Sequence, residues 1–396
     1  MSDEALLARA ADDSARSLAL YRDLLQVRSV WGDARELRRA AELLGAELRD
    51  AGLEVDLRDS GTPDMPMLLA RLPGARGGPS LLFAGHMEVY PPSESWTLDP
   101  WSATVSDGRI YGQGAADMKG GTAGMCAAAA VLGRAGAGLP GDLLVLAVPN
   151  HFEGGEGTRK AVREGLRSDA AIVCEPTDLE VVTGQRGILY VEITVRGRAA
   201  HTTALRLGVN AIERAARVVA ALESMQMRDA RGDPVDAEPM VNVAMVEGGL
   251  AHNLVPERCR LVVDIRFPPE QTADDVLRDV RAAVSATLGD DPELPTSIEP
   301  EATCVRNPRS SLRLGDDHPL ARWLCEAHRS ATGRPARIGF HPAWPDAPIL
   351  NEAGIPAVTY GPGSMECYWD DESVSVQDYL GAVRTYCVAA MQRPGA

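Results

Sequence analysis

The sequence predicts an α/β protein whose larger domain, a mixed β-sheet flanked by helices, is interrupted by a smaller ferredoxin-like α+β domain. Strand-like apolar runs alternate with helical segments through residue 183. Between residues 184 and 303 the order becomes strand, helix, strand, strand, helix, strand, which is the ferredoxin-like order. The alternation then resumes to residue 396. We therefore assign residues 1–183 and 304–396 to the larger domain and residues 184–303 to the insertion.

The larger domain is predicted to begin with helices. Residues 4–52 carry apolar side chains at helical spacing, and Gly52 suits the end of the last helix. Further along, apolar runs predict the strands Met67–Leu72, Leu81–Ala84 and Leu143–Val148, and a stretch of small residues predicts the helix Gly120–Ala135. Loops that follow strand ends carry the chemistry of such sheets, so their polar residues are the first candidates for a site.

The insertion is predicted from the alternation of its strands and the periodicity of its two helices. Its strands are Ile188–Val195, Val241–Val246, Arg260–Phe267 and Thr296–Glu299, and its helices are Val209–Leu222 and Thr272–Leu288. Beyond the insertion, the apolar run Ile355–Tyr360 predicts a strand that returns the chain to the larger sheet.

The composition excludes several kinds of partner. A formal net charge of −16 lacks the basic surface that a nucleic-acid partner requires. No run approaches the roughly 20 apolar residues of a membrane span, and the acidic start of the chain has no signal-peptide pattern. The seven cysteines follow no CxxC spacing and are predicted to be reduced. We expect a cytoplasmic protein with neither a nucleic-acid nor a membrane partner.

Three polar side chains follow successive apolar runs and point to a metal. His86, Asp117 and Glu175 each lie in a short segment that is rich in glycine or proline. Imidazole nitrogen and carboxylate oxygen together are a common ligand set for zinc and similar divalent ions. The sequence therefore offers a candidate metal site.

Longer stretches of the chain resemble one known family. The segments that carry the resemblance are Trp96–Trp101, Asp107–Arg109, Asp117–Gly121, Ala200–Ile212, Gly248–Pro256 and Asp264–Arg266. In them the chain resembles the zinc aminoacylase and metallopeptidase family that includes acetylornithine deacetylase, succinyl-diaminopimelate desuccinylase and carboxypeptidase G. The resemblance covers nearly the whole chain. It implies that the larger domain is catalytic and that the insertion serves as a lid and joins two copies into a homodimer.

The resemblance also implies a two-metal centre, of which this divergent chain keeps one half. His86, Asp117 and Glu175 fall at the ligands of the first metal. At the second metal, Phe152 falls at a ligand glutamate and Trp369 at a late histidine, and neither aromatic side chain can bind a metal. We therefore expect one divalent metal, with zinc as the first choice; the alternative is that no metal binds.

Further roles come from the same resemblance. His151 falls at the glutamate that activates water, and three roles stay open for it: a base, a metal ligand, or a residue that only fills space. Glu88 falls at the aspartate that orients the first histidine. His201 is implied to stabilise an oxyanion. The implied substrate contacts are Asn253, Arg266, His341 and Asp346, with a structural ion pair as the alternative for Arg266 and metal ligation as the alternative for His341.

Three functions are compatible with this altered site, and in the first two the substrate is a small amino-acid-derived molecule. The first is amide condensation or acyl transfer, because a site that lacks the water-activating glutamate favours another nucleophile. The second is hydrolysis on one metal by a deacylase or dipeptidase in which His151 replaces the glutamate. The third is a binding protein without catalysis. The sequence favours an enzyme over the third, and condensation or transfer narrowly over hydrolysis.

Overall fold

The computed structural model of the protein describes residues 2–74, 77–232, 240–364 and 370–392, and these form two compact units. Unit 1 comprises residues 1–184, 314–341 and 345–396, and unit 2 comprises residues 185–313 and 342–344. The second boundary lies ten residues beyond the predicted one, at 313/314 instead of 303/304. Ile188 forms a bridge with Arg309, so the segment after residue 303 stays with the insertion.

The helices and strands are numbered in chain order. The helices are α1 (Asp3–Asp12), α2 (Ser14–Gln26), α3 (Ala34–Asp50), α4 (Gly120–Arg134), α5 (Glu156–Arg163), α6 (Ala211–Glu223), α7 (Ala273–Leu288), α8 (Ala302–Arg306), α9 (Pro319–Thr332), α10 (Ala347–Glu352) and α11 (Val376–Met391). The strands are β1 (Glu54–Asp59), β2 (Pro66–Leu72), β3 (Leu81–His86), β4 (Thr104–Ser106), β5 (Arg109–Tyr111), β6 (Leu143–Val148), β7 (Ala170–Val173), β8 (Val181–Gln185), β9 (Gly187–Arg196), β10 (Met240–Gly248), β11 (Arg258–Phe267), β12 (Thr296–Pro300), β13 (Leu312–Arg313), β14 (Ile338–His341), β15 (Ala357–Thr359) and β16 (Ser373–Ser375).

Unit 1 is built on a mixed sheet. Its strand order is β1-β2-β6-β3-β7-β15-β8, and β14 also pairs with β8. The central strand β3 is parallel to both of its neighbours, β6 and β7. The carboxyl ends of these three strands therefore meet at one edge of the sheet. His86 ends β3 there, and the loops after β6 and β7 carry His151 and Glu175.

Helix α4 packs closely against this sheet because its sequence is rich in glycine and alanine. All its residues from Gly120 to Leu132 are buried in the core of unit 1. A Cβ atom at Gly121 would lie 1.6 Å from the backbone oxygen of Cys174, so only glycine permits this approach. The first turn of α4 is thereby held against the end of β7, beside Glu175.

Unit 2 has the predicted ferredoxin-like order of strands and helices, and its sheet is antiparallel, with the order β10-β11-β9-β12. Helices α6 and α7 cover one face and share its apolar core. Helix α6 begins at Ala211 instead of Val209 because the Asn210 side chain accepts hydrogen bonds from the amides of Ile212 and Glu213 and caps the helix. Among the described residues, no helix is long and apolar enough to cross a membrane.

Candidate metal centre

Four polar side chains of unit 1 meet at the carboxyl edge of the central strands. The Nε2 atom of His86 lies 3.1 Å from Asp117 Oδ1 and 3.5 Å from Glu175 Oε1. The Nε2 atom of His151 lies 4.0 Å from the same oxygen of Glu175. His86, Asp117 and Glu175 are each less than one-tenth exposed. The structure therefore brings together the three predicted ligands and the open candidate His151.

The distances from His86 to Asp117 and from His86 to Glu175 suit pairs of ligands on one zinc ion. Bonds of about 2.0–2.1 Å in a tetrahedral arrangement place neighbouring ligand atoms roughly 3.3–3.4 Å apart. The two distances from His86, 3.1 and 3.5 Å, bracket that value. The chemistry of the set, one imidazole and two carboxylates, also suits zinc. These three residues would hold the ion.

His151 satisfies a distance criterion for a ligand: one ring nitrogen each of His151 and His86 and one carboxylate oxygen of Glu175 all lie within 4.8 Å of one another, in a group that does not include Asp117. The orientation of its ring argues against that role. The rings of His86 and His151 are stacked, with centroids 4.5 Å apart and an angle of 11° between their planes. A histidine binds a metal in the plane of its ring, and two parallel stacked planes share no such point. His151 therefore lies beside the residues that would hold the ion, with its ring stacked on that of His86.

Asp346 holds His151 in position. Its Oδ1 atom lies 2.9 Å from Nδ1 of His151, and its Oδ2 atom accepts a hydrogen bond from the Thr158 hydroxyl. The sequence placed Asp346 among the substrate contacts, whereas both carboxylate oxygens contact protein groups. With Asp346 beside Nδ1, the neutral form of the His151 ring carries its proton on Nδ1, and its Nε2 atom can accept a proton. The arrangement is a histidine–aspartate pair of the kind that serves as a general base.

The pKa values reflect this crowding of charges. Burial lowers the pKa of His86, but the Glu175 and Asp117 carboxylates outweigh burial and the pKa is raised. Burial likewise lowers the pKa of His151, and Asp346 outweighs it so that the pKa is raised. Burial raises the pKa of Glu175. A divalent cation bound here would neutralise the buried Asp117 and Glu175 carboxylates.

Glu88 contacts His86 in a way that the sequence did not predict. The His86 Nδ1 atom lies 2.9 Å from the backbone oxygen of Glu88, not from its carboxylate. The carboxylate is buried and accepts a hydrogen bond from the amide of Phe152 at 3.2 Å. Among the described residues, its other oxygen has no hydrogen-bond partner. The backbone of Glu88 therefore orients the first ligand, and its side chain supports the loop that carries Phe152.

Aromatic rings occupy the side of the centre where the second metal was predicted to be missing. The Phe152 ring centroid lies 5.4 Å from that of His86 and 5.6 Å from that of His151. It also stacks on Tyr90 at 4.0 Å and meets Trp31 edge-on at 6.4 Å. Trp369, the other position predicted to have lost a ligand, lies outside the described residues.

Two features of the centre carried no signal in the sequence. The Glu372 carboxylate is buried and accepts hydrogen bonds from the amides of Gly114, Ala116 and Asp117, which fixes the turn that presents Asp117. Asn150, just before His151, has a positive φ of 65° and donates a hydrogen bond from its side chain to Thr62. Neither contact follows from spacing, because each joins residues far apart in the chain.

The remaining predicted site residues lie elsewhere. His341 is buried, and its Nε2 atom lies 3.1 Å from the backbone oxygen of Pro176, so the ring faces the backbone beside Glu175. In unit 2, the Asn253 side-chain nitrogen lies 3.4 Å from Nε2 of the exposed His201. Also in unit 2, Arg266 forms a two-pronged ion pair with Asp264, with both contacts at 2.8 Å. That ion pair was the predicted alternative for Arg266.

Comparison with known proteins agrees with the fold and with the resemblance. The model of peptidase family M20/M25/M40 matches residues 82–392. The chain is 31% identical over 384 residues to a succinyl-diaminopimelate desuccinylase of Methylobacterium radiotolerans, covering 93% of this chain and 94% of that protein. It is 32% identical over 345 residues to an acetylornithine deacetylase of Myxococcus xanthus, covering 85% and 87%.

Solved structures share the architecture at lower sequence identity. The aminopeptidase PepT of Bacillus cereus superposes with a TM-score of 0.76 at 22% identity, covering 96% of this chain and 98% of that one. Human carnosine dipeptidase 1 superposes with a TM-score of 0.79 at 15% identity, covering 99% and 98%. At these identities the likeness concerns the fold alone.

Proposed function

The chain belongs to peptidase family M20/M25/M40, and from this premise we propose that it is a hydrolase that uses one divalent metal to remove the acyl group from a small N-acylated amino-acid derivative. The observation that carries the proposal is the His151–Asp346 pair beside His86, Asp117 and Glu175. The two relatives named above are called a desuccinylase and a deacetylase. This chain aligns with most of the length of each of them.

The residues divide the work as follows. His86, Asp117 and Glu175 would hold the metal, which when bound polarises the carbonyl of the amide bond and activates water. The Nε2 atom of His151 accepts a proton from the attacking water as the new carbon–oxygen bond forms. It then returns that proton to the leaving nitrogen as the carbon–nitrogen bond breaks. Asp346 keeps the imidazole in the required tautomer and stabilises its charged form.

Hydrolysis is favoured here over condensation or acyl transfer, the function that the sequence alone favoured narrowly. That preference rested on the loss of the water-activating glutamate. With Asp346 on Nδ1, His151 has the contact that a general base for water requires. None of the comparisons gives support to transfer. A non-catalytic binding protein is disfavoured because such a protein has no need of a paired base beside a metal site.

The proposal is tested with zinc-loaded protein and a panel of N-acetyl and N-succinyl amino acids. Release of free amine that stops with a chelator and returns with zinc is the expected result. If product forms only when a second amine is supplied, transfer replaces hydrolysis. If amine release and metal uptake are both absent, the enzyme assignment fails for this panel and the binding-protein hypothesis gains weight.

We also propose that the protein is a homodimer joined through unit 2. In the described part of the chain, β10 lies at the edge of its sheet and carries the exposed apolar side chains of Met245 and Val246. Leu250, in the loop that follows, is also exposed. An apolar edge strand is a ready template for pairing with a second copy. Light scattering after gel filtration tests this: a dimer mass is expected, and a Val246→Lys variant is expected to be monomeric.

The cytoplasmic location predicted from the sequence stays part of the proposal. The six cysteines among the described residues are all thiols, five of them buried, as expected in a reducing compartment. Cys367 lies outside the described residues. Fractionation of cells that express the tagged protein tests this prediction.

A further inference from the structure

Two large aromatic side chains stand partly exposed beside the metal centre. Trp31 is 43% exposed and Tyr90 is 41% exposed, so each presents a substantial part of a large, mostly apolar side chain. Their backbones are held firmly, because Val30 and Val89 form a parallel bridge and the Trp31 amide donates a hydrogen bond to the Val89 oxygen. Trp31 and Tyr90 each follow one residue of that bridge. The fold therefore holds the backbone at both residues, and both side chains remain partly accessible.

Phe152 connects these rings to the catalytic residues. It stacks on Tyr90 with centroids 4.0 Å apart and meets Trp31 edge-on at 6.4 Å. On its other side it lies within 5.6 Å of both stacked histidines, measured between ring centroids. We call Trp31, Tyr90 and Phe152 the aromatic wall. Its inner end borders the base and a metal ligand, and its outer end is open to solvent.

We propose that the aromatic wall is a substrate subsite that binds an aromatic group located within a few bonds of the scissile carbonyl. This inference rests on the proposed function, because it places the scissile bond at His151 and the metal ligands. It adds a substrate class: N-acylated amino acids in which the acyl group or the amino-acid side chain carries a flat aromatic ring.

The surface of the wall favours a ring over a charged group. Trp31 and Phe152 present mostly carbon, on which a carboxylate or an ammonium group would lose hydration without gaining a partner. The Glu88 carboxylate, which accepts a hydrogen bond from the Phe152 amide, is buried and not exposed to solvent. An aromatic ring gains offset or edge-to-face contacts with side chains of this kind, beyond the burial of its area.

The first experiment compares substrates that differ only in the ring. N-benzoylglycine carries a flat ring, N-cyclohexanecarbonylglycine carries a puckered ring of similar size, and N-acetylglycine carries none. N-acetylphenylalanine places the ring on the amino-acid side. With zinc-loaded protein, kcat/KM is expected to be highest for one of the two aromatic substrates, and which of them leads identifies the source of the ring. The proposal would be overturned if neither N-benzoylglycine nor N-acetylphenylalanine had a higher kcat/KM than N-cyclohexanecarbonylglycine.

Variants of the wall test the contact itself. In Trp31→Leu and Tyr90→Leu, the ratio of kcat/KM for the better aromatic substrate to that for N-acetylglycine is expected to fall roughly threefold to tenfold per ring. The control is Val105→Ala, which truncates an exposed apolar side chain of the same unit outside the wall and should leave the ratio unchanged. Ratios that stay at the wild-type value in both leucine variants would contradict the proposal. Circular dichroism melts check that the variants are folded.

A binding measurement separates failure of the subsite from failure of the proposed function. If zinc-loaded protein hydrolyses none of the substrates, calorimetry still gives their dissociation constants. Tighter binding of an aromatic compound than of N-acetylglycine, lost in Trp31→Leu, would keep the subsite while the hydrolase assignment falls. Turnover of N-acetylglycine without any preference for a ring would keep the hydrolase and remove the subsite.

Discussion

The two sides of the metal centre differ in almost every physical respect. On one side, which we call the polar face, His86, Asp117, Glu175 and His151 are largely buried and contact one another or Asp346 through charged groups. On the other, the aromatic wall is partly exposed and holds together through ring contacts. Among the described residues of the centre, the candidate ligands and the candidate base all lie on the polar face. The proposed function and the proposed subsite therefore assign the chemistry to the polar face, which would activate the bond, and the choice of substrate to the wall.

The largest effect is expected when the polar face loses its histidine ligand. His86→Ala should abolish amine release and lower bound zinc from about one per chain to near none, because the remaining ligands are two carboxylates. Elemental mass spectrometry and the amine assay measure both quantities. His252→Ala, which removes an exposed histidine of unit 2, is the control. Full zinc content in His86→Ala would show that the metal binds elsewhere, and the contrast between the polar face and the aromatic wall would then no longer describe the metal centre.

A smaller effect is expected from the base. His151→Ala should lower kcat about 10²–10⁴-fold and leave the zinc content unchanged, because the ring is stacked on His86 and not directed at the same ion. The kcat of Asp346→Asn should lie between that of His151→Ala and that of the wild type, since this variant keeps the imidazole but weakens the contact that orients it. Loss of zinc from His151→Ala would show that His151 is a ligand, and the two histidines would then share one role.

On the aromatic side the expected effect is on stability. Phe152→Leu keeps an apolar side chain but removes ring contacts with Tyr90 and Trp31, so the free energy of unfolding should fall by about 1 kcal/mol. Urea unfolding measures it, with zinc content expected to stay at the wild-type value. Phe340→Leu, at an exposed phenylalanine of β14, is the matched control and should change little. A rise in zinc per chain in Phe152→Leu would mean that Phe152 alone excludes a second ion.

The smallest effect concerns a histidine outside the centre. Burial, with a further contribution from Arg334, lowers the pKa of His328, whereas carboxylates raise the pKa values of His86 and His151. A lowered pKa in the folded state means that the unfolded chain binds the proton more readily. The stability contribution of His328 is therefore present above its ordinary pKa of about 6.5 and is lost as pH falls below it.

Urea midpoints at about pH 7.5 and about pH 5.5 measure this loss. The decrease is expected to be smaller in His328→Gln, which cannot titrate, than in the wild type. An equal decrease in both proteins would show that His328 does not contribute to the pH dependence.

The sequence predicted the residues of the polar face better than the hydrogen bonds that hold them in place. His86, Asp117 and Glu175 each follow an apolar run, and parallel strands bring such positions to one edge. The partner of His151 was not predictable, because Asp346 lies 195 residues away and no spacing links them. Glu88 was assigned by analogy with a shorter aspartate. Its longer side chain reaches the Phe152 amide instead, which leaves the backbone oxygen to orient His86.

The fold was predictable because it depends largely on local sequence patterns. The order of strands and helices follows from local periodicity, so the α/β unit and the ferredoxin-like unit were both identified. The boundary near residue 303 was missed because it depends on the pairing of Ile188 with Arg309, a contact between distant segments. The use of the aromatic wall could not be inferred either, since Trp31, Tyr90 and Phe152 come from three separate loops.

The lack of space for a Cβ atom at Gly121 limits which substitutions this centre can accept. With only 1.6 Å between that position and the Cys174 oxygen, any side chain there would push α4 away from β7 and separate Asp117 from Glu175. The helix side of the centre is therefore closed to gradual change, since even alanine is too large. The wall carries no such backbone restriction, and Trp31 and Tyr90 are partly exposed. New substrate preferences would have to arise from that side.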